Sequence, residues 1–152
     1  MKNTTLCYIE KDGAYLMMHR VKKKNDENKD KWIGIGGKFE NTESPFDCAR
    51  REIYEETGLV ANTLNYRGIV TFVSDEYGTE YMHLFHCTDF TGNLKEYCEE
   101  GDLLFVKKQD VYNLPSWEGD KIFLKLLEEK TPFFSLKLVY RGNELTGHTI
   151  EY

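Results

Sequence analysis

A segment with clear signals at both ends most constrains how this sequence can fold. Ser44 is a good N-cap, Pro45 suits the first helical position, and Gly58 suits the position just past a helix end. Asp47 falls in the first turn, where the helix dipole favours a negative charge. Together these signals predict an α-helix over residues 45–57.

The predicted helix has an apolar stripe beside an acidic one. At about 100° per residue, the first is formed by Phe46, Ala49, Ile53 and Thr57, and the second by Glu52, Glu55 and Glu56. Like charges at helical spacing weaken an isolated helix by roughly 0.2 to 0.5 kcal/mol a pair. Hard cations such as Mg²⁺ prefer oxygen ligands, so a bound metal would offset this cost. A solvated, metal-free face is the alternative.

Residues close to the acidic stripe could complete such a site. Gly36 and Gly37 lie within the apolar, glycine-rich stretch WIGIGGKF (residues 32–39), which we expect to be extended. Without a β-carbon in the way, their backbone could supply a carbonyl ligand. Arg51 is next to Glu52 and four residues before Glu55, so its guanidinium can orient a carboxylate.

The rest of the chain indicates hairpins and one further helix. The segments are TTLCYIE with AYLMMHR (4–20), GIVTFVS with EYMHLFHC (68–87), the strand DLLFVKK (102–108), the helix DKIFLKLLEEK (120–130) stopped by Pro132, and FFSLKLVY with LTGHTIEY (133–152). Because there is no regular βαβ alternation, this order predicts an α+β fold, a mixed-sheet sandwich with helices on its faces.

Length, charge and cysteine spacing narrow the class of protein. The 152 residues fit one domain, 1–152. The net charge of −6 argues against a surface that binds long nucleic acid. Apolar runs stay well below the roughly 18 residues of a membrane span, and no signal peptide opens the chain, so we expect a cytoplasmic protein without a membrane partner. Four widely spaced cysteines predict reduced, mostly buried thiols.

Residues 37–59, which include the glutamates of the acidic stripe and Arg51, also follow a known sequence motif. Gly37, Glu43, Arg51, Glu52, Ile53, Glu55, Glu56, Gly58 and Leu59 match the Nudix box at every defined position, so the chain resembles Nudix hydrolases. The resemblance implies an αβα sandwich around a mixed sheet, and hydrolysis of a nucleoside diphosphate linked to another group with Mg²⁺ or Mn²⁺. It implies Glu52 and Glu56 as metal ligands, Glu55 as a further ligand, Gly36 as the carbonyl donor, and Glu43 as the brace of Arg51.

Outside the box the chain is similar to the MutT-type 8-oxo-dGTP diphosphatases. The similar positions are Trp32, Glu100 and the segment LPSWEGDKIF (114–123). This implies Glu100 as an additional metal or base carboxylate, Trp117 as the ring that stacks on a purine, and Asp120 as its hydrogen-bonding partner. The alternatives are an acidic turn for Glu100, and a tryptophan that covers the core beside an Asp120 helix cap.

One position departs from that group and two others are ambiguous. Ile33 stands where MutT-type enzymes that read the purine have an asparagine, and its side chain could pack against a base but cannot form a hydrogen bond to it. Arg20 and Lys38 are phosphate contacts by position, or surface charges. The basic cluster at residues 22–31 predicts a solvated loop, from which a lysine could still cover a phosphate.

The leading hypothesis is a Mg²⁺-dependent nucleoside triphosphate pyrophosphohydrolase that releases a nucleoside monophosphate and pyrophosphate and sanitises oxidised purine nucleotides. Either Glu52 or Glu100 would deprotonate the attacking water. Two alternatives stay open: a Nudix hydrolase of another nucleoside diphosphate derivative, such as a sugar nucleotide or dinucleotide, and a module that only senses nucleotides. In each case the partner is a small nucleotide, and the protein is a monomer or a homodimer.

Overall fold

The computed structural model describes residues 1–22 and 26–152, which form eight strands and three helices. The strands are β1 (Lys2–Lys11), β2 (Ala14–His19), β3 (Trp32–Ile33), β4 (Val60–Ser74), β5 (Gly78–Thr91), β6 (Asp102–Lys107), β7 (Phe134–Arg141) and β8 (Glu144–Glu151). The helices are α1 (Pro45–Thr57), α2 (Lys108–Val111) and α3 (Asp120–Glu128).

The strands form one mixed sheet in the order β3-β2-β1-β5-β4-β7-β8, with β6 paired to β2. The pairs β1–β5 and β4–β7 are parallel and the other strand pairs are antiparallel. All three predicted hairpins are present, as β1–β2, β4–β5 and β7–β8. The mixed sheet with its helices confirms the predicted α+β class.

The first hairpin is joined only near its turn, where Glu10 pairs with Tyr15 and Lys11 with Ala14. Further along, the free edge of β1 is taken by the glycine-rich segment: the backbone N–H of Thr5 donates to the Gly37 carbonyl at 2.9 Å, and that of Cys7 to the Ile35 carbonyl at 2.6 Å. This pairing places the start of the acidic-helix motif against the central strand.

Two hydrophobic cores lie on opposite faces of the sheet. Along β1, Leu6 and Tyr8 join the core that includes Phe123 of α3, whereas Cys7 and Ile9 join the core that includes Ile53 of α1. Successive strand residues point to opposite faces, so β1 contributes to both. The arrangement is therefore helix, sheet, helix, as the resemblance implied.

Helix α1 has the predicted bounds and both predicted caps. The Ser44 hydroxyl accepts from the Asp47 backbone N–H at 3.1 Å, the Asp47 carboxylate accepts from the Ser44 N–H at 3.0 Å, and Gly58 adopts φ of 81°. Of the predicted apolar stripe, Ala49, Ile53 and Thr57 are buried. Phe46 lies at the rim, more than a third exposed, because it packs sideways on other aromatic rings.

The remaining predictions have mixed outcomes. Helix α3 begins at Asp120 as predicted and ends at Glu128, and the four cysteines are buried and unpaired. The short helix α2 was not predicted, since four residues without a side-chain cap leave little pattern. No helix in residues 1–22 and 26–152 is long and apolar enough to cross a membrane.

Candidate active site

Arg51 is the centre of the acidic face of α1. Its guanidinium donates to both carboxylate oxygens of Glu43, at 2.7 and 2.9 Å, and to Glu52 at 2.7 Å and Glu55 at 3.2 Å. It also donates to the Lys38 carbonyl at 3.0 Å. The hydrogen bonds from Arg51 lower the pKa of Glu43. The contact expected between Glu43 and Arg51 is present, with the two-pronged geometry of a strong ion pair.

Glu56 points away from Arg51 and is buried, with 4% of its surface exposed. Its carboxyl group accepts a hydrogen bond from the Gly36 N–H at 3.3 Å. Burial raises the pKa of Glu56 to about 8; the nearby charges of Glu52 and Glu100 act in the same direction, and Arg20 opposes them. Burial also raises the pKa of Glu52, although Arg51 opposes the shift. Both carboxyl groups would therefore gain from an added cation.

The two glycines allow the backbone to approach the acids closely. A β-carbon on Gly37 would lie 2.6 Å from the carboxyl carbon of Glu52, and one on Gly36 would lie 1.8 Å from the Thr5 carbonyl oxygen. Within the described part of the chain, nothing donates a hydrogen bond to the Gly36 carbonyl. The oxygen of this carbonyl is therefore available to a ligand beside Glu56, and its role in holding a metal stays a prediction.

Glu100 reaches the same region from the turn before β6. Gly101 permits this, because a β-carbon there would lie 2.1 Å from the His19 carbonyl oxygen at the end of β2. The thiol of Cys98 donates to Glu100 at 3.4 Å. The charge of Glu100 raises the pKa of both Glu52 and Glu56, so the turn brings this predicted residue to the acidic face.

The residues present fit a divalent cation, but their side chains alone do not form a complete set of metal ligands. Across residues 1–22 and 26–152, no three His, Cys, Asp or Glu side chains converge as a ready metal site. The reason is that Arg51 holds Glu52 and Glu55 while Glu56 rests on Gly36. Mg²⁺ usually takes only one or two protein carboxylates and completes its shell with waters and phosphate oxygens. Glu52, Glu56 and the free Gly36 carbonyl meet that requirement.

A cavity of about 540 Å³ opens beside these glycines. Its walls come from β1, the 32–38 segment, residues 26–28, β4, β5 and the loop before α3. Predicted residues that line it are Arg20, Ile33, Gly36, Gly37, Lys38, Trp117 and Asp120. The cavity therefore joins the glycine end of the acidic motif to the aromatic segment near α3.

The aromatic end of the cavity is formed by Trp117 and Asp120. Trp117 is 5% exposed, and its ring meets Phe72 and Tyr140 edge to face at about 5 Å between centroids. Asp120 is also buried, and no described group donates a hydrogen bond to its carboxyl group. Burial raises the pKa of Asp120 to about 8, against the opposing charge of Lys31. An unpaired buried carboxyl group facing a cavity is suited to a polar ligand.

Of the other predicted positions, some line the cavity and others do not. Arg20 follows β2 as expected and its Nε pairs with Asp26 at 2.6 Å, while Lys38 is exposed at the rim. Trp32 stacks on His19 at 4.5 Å and is not among the lining residues. In the basic cluster of residues 22–31, positions 23–25 lie outside the described residues.

Sequence reasoning missed about two thirds of the residues that line the cavity. The missed residues include Lys2, Glu27, Asn28, Phe72, Tyr77, Glu80 and Met82. Phe72 and Met82 read as ordinary core residues of a hairpin, and Asn28 lies in a segment whose composition indicates a solvated loop. Only the long-range pairing of β1 with β5 and the packing of residues 26–28 on Trp117 bring them together.

This fold and this box define a family. The family model for the NUDIX domain matches residues 2–127, and the chain belongs to this family. It is a Nudix hydrolase, of the MutT type in fold, and acts on phosphoric anhydrides.

Three known proteins illustrate the similarity. An uncharacterized Nudix hydrolase, YvcI of Bacillus subtilis, is 30% identical over 79% of this chain and 75% of its own length. An oxidized purine nucleoside triphosphate hydrolase of Danio rerio is 31% identical over 87% of this chain and 83% of its own. The crystal structure of a MutT protein from Bacillus halodurans superposes with a TM-score of 0.88 at 24% identity, covering 99% of this chain and 98% of that one.

Proposed function

We propose that this chain is a Mg²⁺- or Mn²⁺-dependent hydrolase of purine nucleoside triphosphates, oxidised ones included, that releases a nucleoside monophosphate and pyrophosphate. One observation carries the proposal: a single cavity is lined at one end by Trp117 and Asp120 and at the other by Gly36, Gly37 and Lys38. The Danio rerio relative, named for hydrolysis of oxidized purine nucleoside triphosphates, supports the same substrate class.

The aromatic end supplies features that suit a purine. Trp117 offers an indole ring, and stacking on a base is worth roughly 1 to 3 kcal/mol. Because the pKa of Asp120 is about 8, its carboxyl group keeps a proton near neutral pH and offers both an O–H donor and an acceptor oxygen. Ile33 lines the cavity and offers only an apolar contact, so Asp120 would form the hydrogen bonds that recognise the base.

The other end supplies charge for the triphosphate. Arg20 and Lys38 are cations of the cavity wall, and they would bind phosphate oxygens. Glu52, Glu56 and the Gly36 carbonyl would hold a divalent ion, with Glu55 and Glu100 as further ligands. When bound, that ion would neutralise charge that develops on the phosphate oxygens. Glu52 or Glu100 would accept the proton of the attacking water, with Arg51 fixing the direction of Glu52.

A nucleotide panel tests the proposal directly. Purified protein with Mg²⁺ is mixed with dGTP, oxidised dGTP, ADP-ribose and a sugar nucleotide, and the products are separated. We expect pyrophosphate and monophosphate from the triphosphates, and none after chelation with EDTA. Rapid turnover of ADP-ribose with indifference to oxidised dGTP would favour the other hydrolase class. Nucleotide binding without any product would identify a sensing module.

Two matched variants separate the candidate bases. Glu52→Gln and Glu100→Gln each remove one carboxylate from the acidic face. The variant that loses the base should lose the low-pH limb of its rate profile as well as most of its kcat. Calorimetry with Mg²⁺ and Mn²⁺, with and without nucleotide, checks metal uptake independently; absence of uptake in both conditions would remove the metal from the proposal.

A further inference from the structure

Residues 26–31, here called the strap, contribute to the cavity wall through their first three residues. Asp26, Glu27 and Asn28 line the cavity. The strap is fixed to the end of β2, because the Arg20 N–H donates to the Lys31 carbonyl at 2.9 Å and the Asp30 N–H donates to the Arg20 carbonyl at 2.7 Å. The strap is therefore attached to the backbone of Arg20, the candidate phosphate-binding residue.

The strap also holds the indole of Trp117. The indole Nε1–H donates to the Asn28 side-chain oxygen at 2.8 Å, and the Lys31 ammonium lies 4.3 Å from the ring centroid. This N–H is the sole hydrogen-bond donor of the tryptophan side chain, so the contact fixes the rotation of the ring. Asn28 is held in turn, since its own backbone N–H donates to Asp26 at 3.0 Å.

One carboxylate connects the two ends of the cavity. Asp26 uses Oδ1 for the Asn28 backbone and Oδ2 for Arg20 Nε, at 2.6 Å, and only 6% of its side chain is exposed. The charge of Arg20 in turn acts on Glu56 of α1. Contacts thus lead from Arg20 through Asp26 and Asn28 to Trp117, and Arg20 acts on the acidic face through its charge.

We propose that Asn28 and Asp26 are positioning residues for substrate: Asn28 fixes the indole plane on which the base stacks, and Asp26 fixes Arg20 at a set distance from that plane. The inference rests on the proposed function, because it assumes that the ligand has a base at one end and phosphates at the other. It adds a determinant of specificity outside the box and outside the α3 segment.

A double-mutant cycle tests the role of Asn28. Asn28→Ala should raise KM for purine nucleoside triphosphates about fivefold, the loss of one hydrogen bond, with kcat changed less than about threefold. Asn28→Asp keeps the acceptor oxygen and should restore most of KM. In a Trp117→Phe background, which lacks the N–H, Asn28→Ala should add nothing. An equal rise in both backgrounds would overturn the proposal.

Lys29 is exposed and is not among the residues that line the cavity, so it provides the matched control on the strap. Lys29→Ala should leave KM and kcat at wild-type values, and a change as large as that of Asn28→Ala would mean that any disturbance of the strap has the same effect. Asp26→Asn should raise KM and also lower kcat, because it releases Arg20 as well. If Asp26→Asn matches Lys29→Ala, Asp26 does not position Arg20.

A measurement without turnover separates this inference from the proposed function. The chain has two tryptophans, Trp32 and Trp117, so a ¹⁵N-labelled sample gives two indole N–H signals in NMR spectra. Asn28→Ala should shift one signal and speed its hydrogen exchange, while the Trp32 signal stays in place. If neither signal changes, the Asn28 contact is absent in solution. If one indole signal shifts but no triphosphate is hydrolysed, the hydrogen bond between Asn28 and Trp117 exists and the proposed function fails.

Discussion

Substitution of Asp120 by asparagine should make the protein more stable at neutral pH. Asp120 is the first residue of α3, where the helix dipole favours a negative charge. Burial outweighs the dipole: the side chain is 7% exposed, receives no hydrogen bond from described residues, and has a pKa raised to about 8. Of the groups around it, Lys31 supplies a positive charge whose effect burial outweighs, and Tyr8 and Tyr140 supply none. Asparagine fills nearly the same volume without ionising.

The size of the effect follows from the two pKa values. The unfolded carboxyl group titrates near 3.8 and the folded one near 8, so between these values the folded state binds one more proton. A raised folded pKa means that stability falls as pH rises through this window. The slope is about 1.4 kcal/mol per pH unit, so from pH 5 to pH 7 the free energy of unfolding of the wild type should fall by about 3 kcal/mol relative to Asp120→Asn.

Urea denaturation of both proteins at pH 5, 6, 7 and 9 measures this difference. We expect the gap between the curves to widen up to pH 7 and to level off above pH 8. Asp110→Asn, an exposed aspartate of α2 without a side-chain cap contact, is the matched control and should give a curve parallel to the wild type. Parallel curves for Asp120→Asn as well would show that Asp120 ionises in the folded protein as it does in water.

Further variants probe the acidic end. Gly37→Ala should push the Glu52 carboxyl group aside and lower kcat at least about tenfold, whereas Gly147→Ala, with open space around it, should not. Arg51→Lys should lower the free energy of unfolding by about 1 kcal/mol, because Lys cannot bind both oxygens of Glu43. Arg50→Lys is the control, and equal melting temperatures for the two variants would contradict this prediction. Glu56→Gln or Glu55→Gln should cut turnover about a hundredfold with the circular dichroism spectrum intact, and a wild-type rate in either would refute its metal role.

Local signals explain what the sequence predicted correctly. Both ends of α1 are set by side chains within three residues of the helix end and by a glycine at positive φ, so its bounds could be predicted to the residue. The three hairpins depend on turn residues between short apolar runs. Glu43, Glu52 and Glu55 meet Arg51 because helical spacing and one tight loop bring them together.

Long-range pairing explains what the sequence did not reveal. The parallel match of Lys2 with Glu80 and of Thr4 with Met82 places two distant segments side by side in the cavity wall, and no residue type signals that register. Asn28 and Trp117 are 89 positions apart, and an asparagine in a charged loop is most simply interpreted as solvated. Contacts of this kind depend on the fold as a whole, so sequence pattern alone could not supply them.

The cost of crowding three glutamates on α1 is only partly offset by the protein itself. Arg51 lies next to Glu52 and one turn before Glu55, so its guanidinium reaches both. Glu56 projects toward the sheet, and no described lysine or arginine forms an ion pair with it; the Gly36 N–H is its hydrogen-bond donor. A buried carboxylate held by one backbone donor is expensive to ionise. The part of the acidic face that still lacks a cation is therefore the part nearest the free Gly36 carbonyl and the cavity, where a metal and a phosphate would meet.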